Sequence, residues 1–339
     1  MNWEKTEIVI GSGETVSAQA PVIISASRST DIPTFYADWF VERWKAGYVK
    51  WMNPFNGVPL YVSFKNARVV VFWTKNPKPM FQHIEFLNEN IKNYYFQYTL
   101  NDYDYEGFEV KVPKLETRIQ TFKELSDRIG KERVIWRFDP LMLTETLNVK
   151  ELLRRVENIA DQLYNYTSKL VFSFADIAIY KKVESNLRRE NISYKEFTSE
   201  TMIEFAEGLT LLNKNWNFEL ATCAEKFDLQ KYGIIHNKCV DDDLMIKLFS
   251  HDKKLMQFLG VKFIEPNLLD PDGKIEKTKN LKDKGQRETC GCIMSKDIGE
   301  YNTCPHECVY CYANTSPEKA KNNYEKHKLN KHSEIITGR

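Results

Sequence analysis

The 339-residue sequence has no apolar stretch of signal-peptide length in its opening MNWEKTEIVIGSGE, and no window reaches membrane-span length. Those absences point to a cytoplasmic protein with no membrane partner. It also has almost no net charge. Forty-eight Lys and Arg stand against 47 Asp and Glu, leaving +1, so no general attraction to nucleic acid or anionic lipid is expected. There is no internal repeat and no low-complexity tract. Cysteine is scarce, with seven in all, and in a reducing compartment these thiols are not expected to form a disulfide framework. What remains is a composition 42% hydrophobic and 28% charged, that of a folded chain. Its length suits one large α/β domain or two ordinary ones.

Past a polar stretch over 1–20 that reads as a peripheral extension, short β-branched or aromatic runs alternate with helical patterns. The runs cover 22–27, 69–74, 94–99, 134–139, 170–175 and 218–223. Asp31 followed by Pro33 predicts a capped helix carrying Tyr36, Phe40 and Trp44. Leu115, Ile119, Phe122, Leu125 and Ile129 form one apolar stripe, with Gly130 as its stop. Leu152 to Leu163 forms another stripe, and 202–212 a further helix. Parallel strands need crossovers of this kind. The expected fold is therefore α/β: a (β/α)6 partial barrel over 21–268, with an open doubly wound sheet as its competitor. A cysteine-rich segment over 269–339 belongs to the same domain and lies over the barrel mouth.

Each run ends in polar residues, and such folds keep their sites at strand C-termini. Arg28, Asp31, Lys75, Asn76, Arg137, Asp139 and Glu225 are the candidates to converge there. Plainer roles compete: Asp31 as a helix cap and Asp139 as a turn residue before Pro140.

Three of the seven cysteines crowd into eight positions, Cys304-Pro-His-Glu-Cys308-Val-Tyr-Cys311. Three thiolates on one loop suit three irons of a [4Fe–4S] cubane, whose fourth iron stays open. An open iron can chelate S-adenosylmethionine, and Tyr310 takes the aromatic position beside its adenine. Arg137 or Lys75 would pair the methionyl carboxylate, and Asp139 would accept from ribose hydroxyls. Cys223, Cys239, Cys290 and Cys292 are the number needed for a second centre, either an auxiliary Fe–S cluster or zinc; the plainer reading makes Cys223 and Cys239 small buried hydrophobes. His306, inside the loop, reads as solvent-facing. The Lys319–Lys331 stretch reads as a solvated terminal helix more readily than as a nucleic-acid surface.

The loop with its Cys311-Tyr-Ala-Asn continuation resembles the cluster loop of the radical S-adenosylmethionine superfamily, with likeness to the spore photoproduct lyase branch. The whole chain resembles a bacterial family of unassigned function that pairs the motif Ser25-Ala-Ser-Arg-Ser-Thr-Asp-Ile-Pro33 with such a tail. The resemblance implies an enzyme that cleaves S-adenosylmethionine to a 5′-deoxyadenosyl radical acting on an unknown substrate, served by a reductant such as flavodoxin or ferredoxin. The chain departs from the superfamily in carrying its cluster loop after the last strand, and in lacking a Gly-Gly-Glu-Pro-like stretch after the second. The rival reading is a zinc-stabilised module that binds nucleic acid or protein, using Cys308 and Cys311 with Cys290 and Cys292.

Overall fold

The computed structural model describes residues 3–264 and 274–338. The chain opens with a hairpin, β1 (Lys5–Val9) and β2 (Thr15–Gln19). After β3 (Ile23–Ala26), α1 (Ile32–Phe35) and α2 (Ala37–Ala46), it forms the antiparallel pair β4 (Tyr48–Met52) and β5 (Pro59–Ser63). β2 lies parallel to β5, giving a four-stranded sheet ordered β1-β2-β5-β4. Half of the stretch read as an extension is thus strand, with half-buried Thr6 and Ile8 alternating with exposed Lys5, Glu7 and Val9.

The main sheet continues through β6 (Val69–Thr74), β7 (Asn93–Thr99), β8 (Val134–Leu141), β9 (Lys169–Phe174), β10 (Glu219–Thr222) and β11 (Ile234–His236). α3 (Ile84–Asn90), α4 (Leu115–Ile129), α5 (Val149–Leu163), α6 (Lys181–Arg189) and α7 (Ser199–Asn213) lie between these strands. Beyond β11 come α8 (Asp242–Phe249), α9 (Lys253–Leu259), the antiparallel pair β12 (Val261–Ile264) and β13 (Lys274–Lys277), then β14 (Lys296–Asp297) and α10 (Pro317–Leu329). The sheet order is β11-β10-β9-β8-β7-β6-β3-β14, with every neighbouring pair parallel.

All six expected strands are present, and the fold is α/β. The sheet is open, with β11 and β14 at its edges, and is not a closed barrel. From β3 to β11 the spatial order follows the chain order, without the reversal of a doubly wound sheet. The expected boundary at 268/269 lies outside the described residues. Among the described residues, no helix is long and apolar enough to cross a membrane.

Strand side chains alternate between two faces. Ile24, Phe72, Phe96, Trp136, Phe172 and Leu220 pack with Phe40 of α2, Leu125 of α4, Ile159 of α5 and Phe205 of α7. Ile23, Val71, Tyr95, Ile135, Val171 and Ala221 face the other way, onto Met245, Phe249, Leu255 and Leu259 of α8 and α9. Carried two residues further, this second set becomes Ser25, Trp73, Gln97, Arg137, Ser173 and Cys223. The apolar face therefore turns polar at the C-terminal ends of the strands.

Helix ends follow their residues. Asp31 accepts the Thr34 N–H at 3.0 Å to cap α1, and Gly130, at φ 90°, ends α4. α10 buries Ala320, Asn323 and His327 and sets Tyr324 against Phe35 and Tyr36, leaving its lysines in solvent.

Candidate metal and cofactor site

The early Ser-Ala-Ser-Arg motif is a clamp for the C-terminal segment. Asp297, on β14 beside β3, accepts Ser25 Oγ and Ser27 Oγ at 2.7 Å, Ser29 Oγ at 3.2 Å and the Arg28 N–H at 2.8 Å. Asp31 is a second junction. Besides capping α1, it accepts the Lys75 N–H at 2.7 Å and pairs with His306 Nε2 at 2.9 Å. His306 is accordingly buried, contrary to its expected place in solvent, because its ring joins the cysteine loop to the capping carboxylate.

The cysteine loop lies along the loop that follows β7. Glu109 and Cys308 form an isolated antiparallel bridge, Val309 N donates to Phe108 O at 3.0 Å, and Lys111 N to His306 O at 2.9 Å. Asn314 holds the Cys304 carbonyl at 2.6 Å and Asn186 the Cys311 carbonyl at 3.2 Å. Under the loop lies a buried charge network. Glu109 accepts Lys75 Nζ at 2.7 Å, Arg118 Nη1 at 3.0 Å, Asn101 Nδ2 at 3.1 Å and the Tyr310 hydroxyl. Burial pushes all three thiols above their ordinary pKa; Asp31 adds to the rise at Cys304, and the Lys75 ammonium opposes it at Cys308. Cys308 and Cys311 open on a cavity of about 370 Å³ that is also lined by Asn186, Arg189 and Glu307.

The other four cysteines come together on the second face. Cys223 Sγ and Cys239 Sγ are 3.5 Å apart, and Cys292 Sγ receives the Cys239 N–H at 3.2 Å. Arg137 reaches Cys239 Sγ at 3.2 Å, Gln97 Oε1 at 3.1 Å and Asp139 Oδ2. Asp139 also accepts the Ser173 hydroxyl. Arg28 lies over the Trp73 ring, 5.2 Å from its centroid, with Nη2 buried and without a hydrogen-bond partner. Tyr312 donates its hydroxyl to the Arg28 carbonyl at 3.2 Å, directly beside Cys311 in the chain. Arg28, Trp73, Arg137, Asp139 and Tyr312 thus lie between the two groups of thiols.

The profile described as Domain of unknown function (DUF1848) matches residues 23–313. The chain belongs to the DUF1848 family. No curated protein and no solved structure matches it. The DUF1848 span runs from β3 to just past Cys311, so it includes the serine clamp, Asp31, Asp297 and all seven cysteines.

Within this DUF1848 domain the expected residues divide. Arg137 pairs with Asp139, and Arg28 lies over Trp73, while Lys75 and Tyr310 meet beneath the cysteine loop, 2.8 Å apart. Asn76 and Glu225 turn to local backbone instead: Asn76 Oδ1 accepts Lys78 N at 3.3 Å, and Glu225 Oε1 accepts Lys226 N at 2.7 Å and Phe227 N at 3.1 Å. Lys75 and Arg137, the expected carboxylate partners, already hold Glu109 and Asp139. The open donor belongs to Arg28. Sequence reasoning missed Asp297, Glu109, Arg118 and Tyr312. Asp297 gave no local signal, whereas Tyr312 directly follows the third loop cysteine.

The residues present fit the group that the resemblance implies. Three thiols on one loop form a soft donor set suited to iron and sulfide. The orphaned Arg28 Nη2 offers a donor to an anionic cofactor.

Proposed function

We propose that this protein is a radical S-adenosylmethionine-type enzyme on a partial βα barrel, with Cys304, Cys308 and Cys311 as ligands of a [4Fe–4S] cluster. The observation that carries the reading is the docking of the Cys-x3-Cys-x2-Cys loop across the C-terminal ends of parallel strands, where α/β folds keep their sites. The in-order run of strands from β3 to β11 supports the partial-barrel form. When bound, such a cluster supplies an open iron that chelates S-adenosylmethionine and one electron that breaks its sulfonium–C5′ bond, giving methionine and an adenosyl carbon that takes hydrogen from the substrate.

The chain's own residues hold and orient. Arg28 carries the unpaired donor and is the residue to meet the methionyl carboxylate. Asp139, fixed by Arg137 and Ser173, is the acceptor for ribose hydroxyls. Tyr310 and Tyr312, flanking Cys311, are the aromatic surfaces for adenine. Lys75 sets a positive charge beside Cys308 and is held there by Glu109. A one-electron donor of the flavodoxin or ferredoxin kind is the partner this chemistry needs.

Anaerobic reconstitution with iron and sulfide tests the assignment. A brown protein is expected, whose reduced cluster gives an electron paramagnetic resonance signal that changes when S-adenosylmethionine is added. The variant with all three loop cysteines changed to Ala should lack that signal. A colourless protein holding zinc on those same cysteines would replace this reading with a zinc-stabilised binding module, because zinc has no electron to give.

A further inference from the structure

We propose that Cys223 and Cys239 form a redox-active dithiol at the strand ends, a modification site that hydrogen peroxide converts reversibly to a disulfide. This holds whatever the three loop cysteines bind. Cys223 directly follows β10, and Cys239 lies between β11 and α8. Their sulfurs stand 3.5 Å apart, and both thiols are free. A disulfide needs about 2.05 Å, so the sulfurs have only about 1.5 Å to close.

The sheet holds the two residues in place. Cys223 N donates to Phe172 O at 2.8 Å, carrying the β9–β10 ladder one residue further. Asn237 N donates to Thr222 O at 2.8 Å and extends the β10–β11 ladder in the same way. The Cys239 carbonyl accepts the Tyr95 hydroxyl at 2.8 Å and Gln97 Nε2 at 2.9 Å, both from β7. Cys292 Sγ turns to the backbone instead, receiving the N–H groups of Cys239 at 3.2 Å and Val240 at 3.5 Å. Among the described residues, three His, Cys, Asp or Glu ligand atoms lie within 4.8 Å of one another only at Asp241, Asp242 and Asp243. Two sulfurs in contact, with no third ligand in reach, suit dithiol chemistry and not a single metal ion.

Cys239 is built to carry negative charge. Its Sγ receives Arg137 Nη1 at 3.2 Å and Asn237 Nδ2 at 3.3 Å. The hydrogen bond with Cys223 holds the Cys239 thiol well below its ordinary pKa, aided by Cys292 and Arg137 and opposed by burial. The same bond, with burial, raises the pKa of Cys223. The resting pair thus shares one proton, on Cys223. Cys223 is half-buried and Cys239 buried, so Cys223 is the sulfur that a small oxidant reaches. Its proton passes to Cys239, and the Cys223 thiolate attacks one peroxide oxygen. The O–O bond breaks, Cys223 becomes a sulfenic acid, and the released hydroxide takes the proton from Cys239 to give water. The Cys239 thiolate then attacks the Cys223 sulfur, forming the S–S bond and expelling a second hydroxide. The two sulfurs lose two electrons, and the two peroxide oxygens gain them. A thiol reductant reverses the step by exchange. Such a reversible bond is the form disulfides take in reducing compartments. Oxidation also removes the sulfur charge beside Arg137, leaving it the Asp139 carboxylate.

Peptide mapping of the anaerobically purified full-length chain is the test. Trypsin places Cys223 in 215–226, Cys239 in 239–247, and Cys290 with Cys292 in 288–296. After about one equivalent of peroxide, acid quenching and thiol blocking, peptides 215–226 and 239–247 should be joined by a disulfide that dithiothreitol opens. In the Cys239→Ser variant the sulfenic acid has no resolving thiol, so a dimedone adduct on Cys223 should rise about fivefold or more over the parent. Mapping the parent needs no substitution, so it stands even if the variant does not fold. A parent whose Cys223 and Cys239 both stay blockable after peroxide, or whose Cys239 joins 288–296 instead, would overturn the dithiol. A folded Cys239→Ser variant with no more adduct than the parent would overturn Cys223 as the attacking sulfur.

Discussion

Glu109→Gln removes one negative charge from the network beneath the cysteine loop and leaves its shape intact. The Glu109 carboxylate is joined by Lys75 Nζ at 2.7 Å and Arg118 Nη1 at 3.0 Å, with the Glu109 and Arg118 side chains 2% and 0% exposed. In the variant, Lys75 loses its carboxylate and Arg118 keeps only Asp104, at 3.2 Å. Breaking a buried pair from one side costs about 3–5 kcal/mol. The carboxylate's own titration agrees. Burial alone would raise its pKa, yet Lys75 and Arg118 hold it down from 4.5 to about 2, a shift worth roughly 3 kcal/mol. The folded pKa lies below the unfolded one, so this stability is present above pH 4.5 and is lost as pH falls toward about 2. An unfolding entropy near 2.1 cal/mol/K per residue gives about 0.7 kcal/mol/K for this chain, hence a fall in Tm of about 4–7 °C. Scanning fluorimetry at neutral pH and near pH 3 is the assay. The deficit should narrow in acid. A neutral-pH Tm within about 1 °C of the parent would refute the network's role.

Three further outcomes follow from the clamp and the strand-end residues. A Cβ at Gly299 would stand 2.1 Å from Ser27 Oγ and 2.6 Å from Ser27 Cβ, so Gly299→Ala should cost about 1–3 kcal/mol and speed proteolysis of the C-terminal segment; unchanged urea and protease resistance would count against the clamp. Asp297→Asn turns one acceptor oxygen into a donor, displacing either Ser25 Oγ and the Arg28 N–H or Ser27 Oγ, Ser29 Oγ and the Gly299 N–H, and should cost about 1–3 kcal/mol by urea denaturation. Arg28→Lys keeps the charge but loses the guanidinium fork, and should weaken S-adenosylmethionine binding about tenfold by equilibrium dialysis, with iron content unchanged. Equal affinity would move the carboxylate partner elsewhere.

The main sheet was legible because each strand is a continuous β-branched or aromatic run buried on both faces. The helices were legible where Asp31, Pro33 and Gly130 mark their ends. The site was legible only in part. The cysteine loop and the strand-end arginines are local signals, but their partners are not. Ser27 meets Asp297 across 270 positions, and nothing near Asp297 distinguishes it from a surface carboxylate. Glu109 sits in an acidic, aromatic loop that reads as solvent-exposed. It is buried because Lys75 and Arg118 arrive from β6 and α4 to neutralise it. His306 departs from its expected place in solvent for the same reason, since its burial depends on Asp31, far away in the chain. The N-terminal hairpin gave a weak alternating signal, with only Thr6 and Ile8 half-buried on β1.

The most direct test of the central claim is chromatography of the products formed from S-adenosylmethionine by the anaerobically reconstituted, dithionite-reduced protein. The account predicts 5′-deoxyadenosine and methionine in equal amounts, formed slowly without the native substrate. The variant lacking Cys304, Cys308 and Cys311 should form neither above background. An intact, reducible cluster that yields no more deoxyadenosine than that variant would contradict the account and leave the cluster a structural or electron-transfer centre.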